Sequence, residues 1–184
     1  MVVLTHGHAD HIGGTLTADG EPAFPNARYL MARAEWEFWT DDPDLSALRL
    51  DDALKDLLRA AVRANLVPLE DRIDLLDSTG PTEVVPGITL EPAPGHTPGH
   101  LVVDVRSAGE QLLHLADTFL LPLNVAHPDW TAVVDLDPEQ TVETRTRLFG
   151  QASEEGALAF AFHAPAPGLG HIVETGDGWK WEPI

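Results

Sequence analysis

The stretch Val2-Val3-Leu4-Thr5-His6-Gly7-His8-Ala9-Asp10-His11-Ile12-Gly13-Gly14 governs how the rest of the chain is read. Val2 to Leu4 have the character of the end of a buried strand, and that strand runs straight into the histidines. In extended chain, residues i and i+2 project to the same side, so His6 and His8 can grip one cation together. Asp10 continues the alternation and His11 breaks it, so the chain must turn there, and Gly13-Gly14 permits the turn. His11 then faces a neighbouring position, which calls for two metal ions rather than one. Chance would put His-x-His-x-Asp-His into such a chain on the order of once in several hundred. The strand–turn–glycine setting is that of a ligand loop rather than a surface histidine cluster.

Two imidazoles and a carboxylate leave a zinc-like ion short of its usual four contacts, so further ligands are expected at other strand ends. Pro94-Gly95-His96-Thr97-Pro98-Gly99-His100 is a rigid loop between two strands with His96 at its tip. Asp117 closes the strand that contains Leu112-Leu113-His114-Leu115-Ala116, and His163 ends the apolar run Ala157 to Phe162. Taken singly, Asp117 could be a turn residue and His163 a core histidine. His100, His114 and His127 read as non-ligands, with His100 placed to stand behind one. His171 is a weaker candidate for approaching the site.

The composition narrows the chemistry. A chain of 184 residues, 43% hydrophobic and 22% charged, reads as one globular domain over residues 1–184. Thirty acidic against eleven basic residues give a net charge of −19, which repels phosphate backbones and anionic membrane, so no nucleic-acid or membrane partner is expected. The absence of cysteine excludes disulfides, thiolate metal sites and cysteine nucleophiles. No serine lies in a Gly-x-Ser-x-Gly elbow, and neither Lys55 nor Lys180 lies in a phosphate-cradling loop. No apolar run approaches the ~18 residues of a spanning helix, and the opening residues lack a signal peptide's basic start, so a cytoplasmic location is expected.

Around the ligands, the patterning is mixed α/β. Arg28 to Met31 predict a strand leading into a helix through Ala34 to Trp39, and apolar spacing predicts a longer helix from Ala47 to Ala64, capped by Asp44 or Ser46. Strands follow at Ile73, Glu83 and Ile88, then a hairpin of Leu101–Arg106 with Gln111–Ala116. Asp137-Pro138 with Gln140 predicts a capping box opening a helix that runs to Gly150 or a little past, followed by strands at Ala157–Phe162, Ile172–Glu174 and Trp179–Glu182.

Together, the His6-x-His8-x-Asp10-His11 motif, His96 in its Gly-His-Thr-Pro-Gly loop, Asp117 and His163 resemble the metallo-β-lactamase-fold hydrolase superfamily. The resemblance implies an α/β fold built as a four-layer αββα sandwich. It implies that His6, His8 and His96 bind one metal, Asp10, His11 and His163 a second, and Asp117 bridges them. The ions would be divalent, zinc first, with manganese, cobalt or iron also suited to such a thiolate-free set. A carboxylate at position 117 is unlike the true β-lactamases, and His8 is unlike the flavodiiron proteins. Phe162 to His171, with Asp117-Thr118 before it, is similar to the branch of methyl parathion hydrolase and related esterases and lactonases. Tyr29 is the only tyrosine, so the tyrosine that quorum-quenching lactonases keep near their metals has no counterpart.

The superfamily's first strands precede the histidine motif, whereas five residues precede it here, so the expectation is an N-terminally truncated sandwich whose open edge invites a homodimer. The implied function is a dinuclear metal hydrolase in which a hydroxide shared by the metals attacks the substrate, with Asp10 also orienting that nucleophile. Phe119, Leu121 and Trp130 follow Asp117 and are expected to form an apolar substrate wall. With almost no cation to hold an anionic group, the expected small-molecule substrate is a neutral ester, lactone or phosphotriester. The alternative is a non-catalytic relic or metal-binding module of the same fold.

Overall fold

The computed structural model describes residues 1–77 and 79–184. Strands β1 (Val2–Val3), β2 (Tyr29–Ala32) and β3 (Ile73–Leu76) form a parallel sheet in that order. Parallel neighbours need crossovers, and these carry α1 (Ala9–Ile12) between β1 and β2, then α2 (Arg33–Thr40) and α3 (Asp52–Asn65) between β2 and β3. Every residue of β2 is buried because both faces of the sheet are covered. Tyr29 and Met31 join a core with Trp39, Val62 and Leu66 under the helices, while Leu30 and Ala32 meet Leu90 and Leu101 on the other side.

The second sheet contains β4 (Thr82–Val85), β5 (Ile88–Pro92), β6 (Leu101–Ser107), β7 (Glu110–His114), β8 (Leu158–Phe160), β9 (Leu169–Thr175) and β10 (Gly178–Pro183). Its order is β10-β9-β8-β7-β6-β5-β4, antiparallel except for the parallel β7–β8 pair. The crossover of that pair holds α4 (Leu123–Ala126) and α5 (Pro138–Glu155). Leu148, Phe149 and Ala152 of α5 pack on Val102, Leu113, Ala159 and Ile172. The layers therefore run helix, sheet, sheet, helix, as the sequence resemblance implies.

Two helices depart from their predicted form. The helix expected from Ala47 starts at Asp52, because Leu45 and Leu48 are drawn into the core and the chain ahead of it stays in turns. Asp51 caps it, its side chain accepting the Leu54 N–H at 2.9 Å, while Asp44 closes a local turn by accepting the Ser46 N–H. Leu54 and Leu57 are 45% and 64% exposed, so part of the predicted apolar stripe faces outward. Asp137 caps α5 as predicted, accepting the Gln140 N–H at 3.0 Å. Its own N–H, however, donates to the Gly95 carbonyl, so the cap is also tied to the His96 loop. The helix continues past Gly150 to Glu155 and ends on Gly156 in the left-handed region. Among the described residues no helix is long and apolar enough to cross a membrane.

Asp51→Ala is expected to lower stability by about 1 kcal/mol, a fall in Tm of roughly 2–4 °C for a domain of this size. Ser46→Ala should stay within about 0.5 kcal/mol. Thermal unfolding of the two variants locates the start of α3, and a larger effect at Ser46 would move it back to the predicted position.

Candidate metal centre

The site lies where several strand ends meet. The Thr5 carbonyl, just past β1, accepts the N–H of Leu101 at 2.9 Å, which stitches the end of the first sheet to the start of β6. This brings His6 and His8 beside the loop that carries His96. Beyond β7 the chain turns sharply, with Ala116 at φ 45°, a left-handed conformation costly for a residue with a Cβ. That turn delivers Asp117, and the end of β8 leads to His163.

Two groups of donors result. Ligand atoms of His6, His8, His96 and Asp117 all lie within 4.8 Å of one another and all four residues are buried; Asp10, His11 and His163 form a second such group, nearer solvent. The Asp117 carboxylate touches both. Its Oδ2 is 3.7 Å from His6 Nε2, 3.4 Å from His96 Nε2 and 3.3 Å from His163 Nε2, while Oδ1 is 3.0 Å from His11 Nε2. His163 Nε2 is also 3.4 Å from an Asp10 oxygen. His6 Nε2 and His8 Nε2 are buried with no hydrogen-bond partner among the described residues. Converging donor atoms left unpaired are costly unless something binds between them. These residues fit a pair of divalent cations.

The electrostatics favour the ligand form of most of the set. Burial, reinforced by neighbouring histidines, pushes His6 well below its ordinary value and His8 down to about 3, so both are neutral imidazoles. His100 is likewise pushed down to about 3 by burial. Burial also acts to lower His96, but hydrogen bonds to Asp117 and Asp135 outweigh it and raise the group to about 9. Burial acts to raise Asp117, and its hydrogen bonds to His11 and His96 win, holding the carboxyl well below the usual carboxylate range. Without metal, His96 keeps a proton that metal binding would release.

Four supporting residues escaped the sequence reading or were read only in part. Asp135 is buried and 2.8 Å from His96 Nδ1, which turns His96 Nε2 toward the centre. His100 Nε2 accepts the Asp117 N–H at 3.1 Å, so it stands behind a candidate ligand, as its place in the loop allows. Arg145 is buried on α5 and donates to the carbonyls of Thr118, Pro128 and Trp130, bracing the segment that follows Asp117. Glu35, wholly buried on α2, accepts N–H groups from both ligand loops. Asp135, Arg145 and Glu35 belong to no short motif, and their partners are distant in sequence.

A cleft of about 400 Å³ opens over the donors, lined by His8, Asp10, His96, Asp117 and His163 and on its apolar side by Leu58, Leu120, Leu121 and Val134. Of the three residues expected as the apolar wall, only Leu121 lines it. Phe119 must be reassigned: it is fully buried in the core, its ring 5.5 Å from that of Phe149 and 5.7 Å from that of Trp181. The chain leaves the turn at Asp117 in extended form, so Phe119 points back under the sheet. Trp130 is half-exposed and stacked on His127, and is not among the residues lining the cleft. His171 is taken up elsewhere, its Nδ1 lying 3.0 Å from the Ala157 carbonyl. The hydroxyl of Tyr29 donates to the Thr15 carbonyl within the core.

A helix–sheet–sheet–helix sandwich with a His/Asp cluster at its strand ends defines a class of metal-centred fold. Residues 2–150 match the family described as the metallo-beta-lactamase superfamily, and the chain belongs to it. An N-acyl homoserine lactonase of a Bacillus species is 30% identical over 184 residues, 99% of this chain and 59% of the relative. The N-acyl homoserine lactonase AiiA of Bacillus thuringiensis subsp. kurstaki is 25% identical over 88% of this chain and 54% of the relative. Among solved structures, AidC, a dizinc quorum-quenching lactonase in complex with a product, superposes with a TM-score of 0.90 at 29% identity, covering 99% of this chain and 63% of that one. The hydrolase AbOPH gives a TM-score of 0.85 at 28% identity with the same coverage. The chain thus spans a little over half the length of the relatives it matches.

Phe119→Ala is expected to cost about 3–5 kcal/mol of stability, as for a large aromatic removed from a packed core. Leu121→Ala should leave stability within about 0.5 kcal/mol. Chemical denaturation of both variants tests the assignment; a Phe119 variant as stable as the parent would return that residue to the cleft wall.

Proposed function

We propose that this chain binds two divalent metal ions, zinc first, and hydrolyses a neutral ester, lactone or phosphotriester. The observation that carries the proposal is Asp117, its carboxylate set between two converging donor groups at the base of a partly apolar cleft. His6, His8 and His96 would hold one ion, Asp10, His11 and His163 the other, and Asp117 both. When bound, such a pair supplies Lewis acidity and a water that loses its proton near pH ~7 rather than ~15.7.

The chain's own residues account for the rest. Asp10 lies at the cleft with about half its side chain exposed, where it can orient the attacking water as well as anchor an ion. Leu58, Leu120, Leu121 and Val134 give the apolar part of a substrate a dry surface. Among the described residues no lysine or arginine lines the cleft, so apart from the metal ions themselves no cationic side chain pairs with a substrate carboxylate or phosphate monoester, and uncharged substrates are favoured. The lactonase names of the relatives put lactones first among them. Tyr29, its hydroxyl bonded to the Thr15 carbonyl in the core, is not placed to protonate a leaving group; the proton that Asp10 takes from the attacking water can be passed to that group.

Elemental analysis after zinc reconstitution is expected to find about two equivalents, falling to about one in His163→Ala. In a kcat/KM panel, neutral lactones, aryl esters and phosphotriesters should exceed anionic thioesters and β-lactams. Asp117→Asn should lower every activity by at least about 10²-fold, more than the loss typical of removing a residue behind the ligands. Less than half an equivalent of zinc, a preference for anionic substrates, or rates untouched by Asp117→Asn would contradict the proposal. Two bound ions with no turnover of any substrate would instead favour a metal-binding module.

A further inference from the structure

We infer that Glu35 is a positioning residue that sets the distance between the two loops carrying His6, His8 and His96. The inference rests on the metal-centre reading above. Glu35 is 0% exposed, on α2, and belongs to neither loop. Its Oε1 accepts the N–H of Gly7, between His6 and His8, at 2.8 Å. Its Oε2 accepts the N–H of Gly99, on the loop of His96, at 2.9 Å. One rigid carboxylate thus spans the loops, and its two oxygens fix their separation as a single planar unit.

The surroundings hold the carboxylate itself in place. The Trp39 indole N–H donates to Oε1 at 2.8 Å, from one helical turn further along α2. Both loop residues are glycines for a steric reason. A Cβ on Gly7 would lie 2.6 Å from the Trp39 ring, and one on Gly99 would lie 2.3 Å from the backbone nitrogen of Glu35. Side chains there would push the loops off the helix and beyond reach of the carboxylate. Burial raises the Glu35 carboxyl, and the hydrogen bonds from Gly7, Trp39 and Gly99 oppose that shift without cancelling it. Glutamine cannot replace it fully, because its amide NH2 would face an N–H group of one loop or the other.

The test uses the His163→Ala protein, which keeps the four-residue donor group whole and removes one ligand of the second, with cobalt(II) as the probe. Chelator competition followed by visible absorption reads its affinity, and amide exchange of Gly7 and Gly99 in metal-free protein reads the clamp. Glu35→Gln is expected to speed exchange at one or both glycines by roughly 10-fold or more. It should weaken cobalt by 10–100-fold, the usual effect of losing a residue behind the ligands. Asp51→Ala, which loosens the cap of α3 and touches neither loop, should lower stability yet change affinity less than about threefold. If Glu35→Gln does not fold, Glu35→Asp, which keeps the charge but shortens the reach, should shift both readouts in the same direction. Unchanged cobalt affinity with a lowered Tm would make Glu35 a purely structural residue and overturn the inference. Cobalt failing to bind the parent would overturn the metal-centre reading and this role with it, and the amide exchange would then report only on the loops.

Discussion

Buried donor atoms that face one another without bonding are the constraint on which the structure turns. His6 Nε2 and His8 Nε2 are shielded from water and have no hydrogen-bond partner among the described residues, and both rings are held neutral by burial. Such an arrangement is unfavourable for folding taken alone, since each unpaired group loses its hydration without compensation. It persists only where the surrounding backbone is over-determined. The centre is therefore as much a statement about the scaffold as about the ligands.

The scaffold supplies that rigidity through close backbone contacts. The loop of His96 is gripped on two sides: Gly99 packs against α2, and Gly95, at φ 130°, packs against the first turn of α5, where a Cβ would meet the Thr141 backbone at 2.3 Å. Asp137 strengthens the second contact by capping α5 with its side chain and donating its N–H to Gly95. Asp135 turns the His96 ring, Glu35 joins the loops, and Arg145 braces the chain beyond Asp117. Each is a buried charged or polar group whose partners are fixed, which confers geometry more than net stability.

How much could be read from the sequence follows from the range of the interactions. His6 and His8 are legible because they precede α1 at one strand end. Extended alternation places Asp10 in line with them, whereas Asp10 and His11 lie on α1, and it is that helical turn that carries them to the second donor group. Asp137 is legible as a cap because its partner, the Gln140 N–H, is close in sequence. The start of α3 is not, because the burial of Leu45 and Leu48 overrides the helical period that continues through them. Phe119 follows Asp117 closely in sequence, yet the backbone turn between them sends one side chain to the cleft and the other to the core. Glu35 lies 28 residues from Gly7 and 64 from Gly99, so no local pattern could signal that it joins them.

The central claim is that seven side chains converge on two cation positions sharing Asp117. Crystals of zinc-reconstituted protein, measured on both sides of the zinc absorption edge, test it most directly. The account predicts two anomalous peaks about 3.5–4 Å apart, the usual spacing of a two-metal site. One should lie among His6, His8 and His96, the other among Asp10, His11 and His163, with Asp117 reaching both. A single peak, or two peaks that Asp117 does not join, would contradict it.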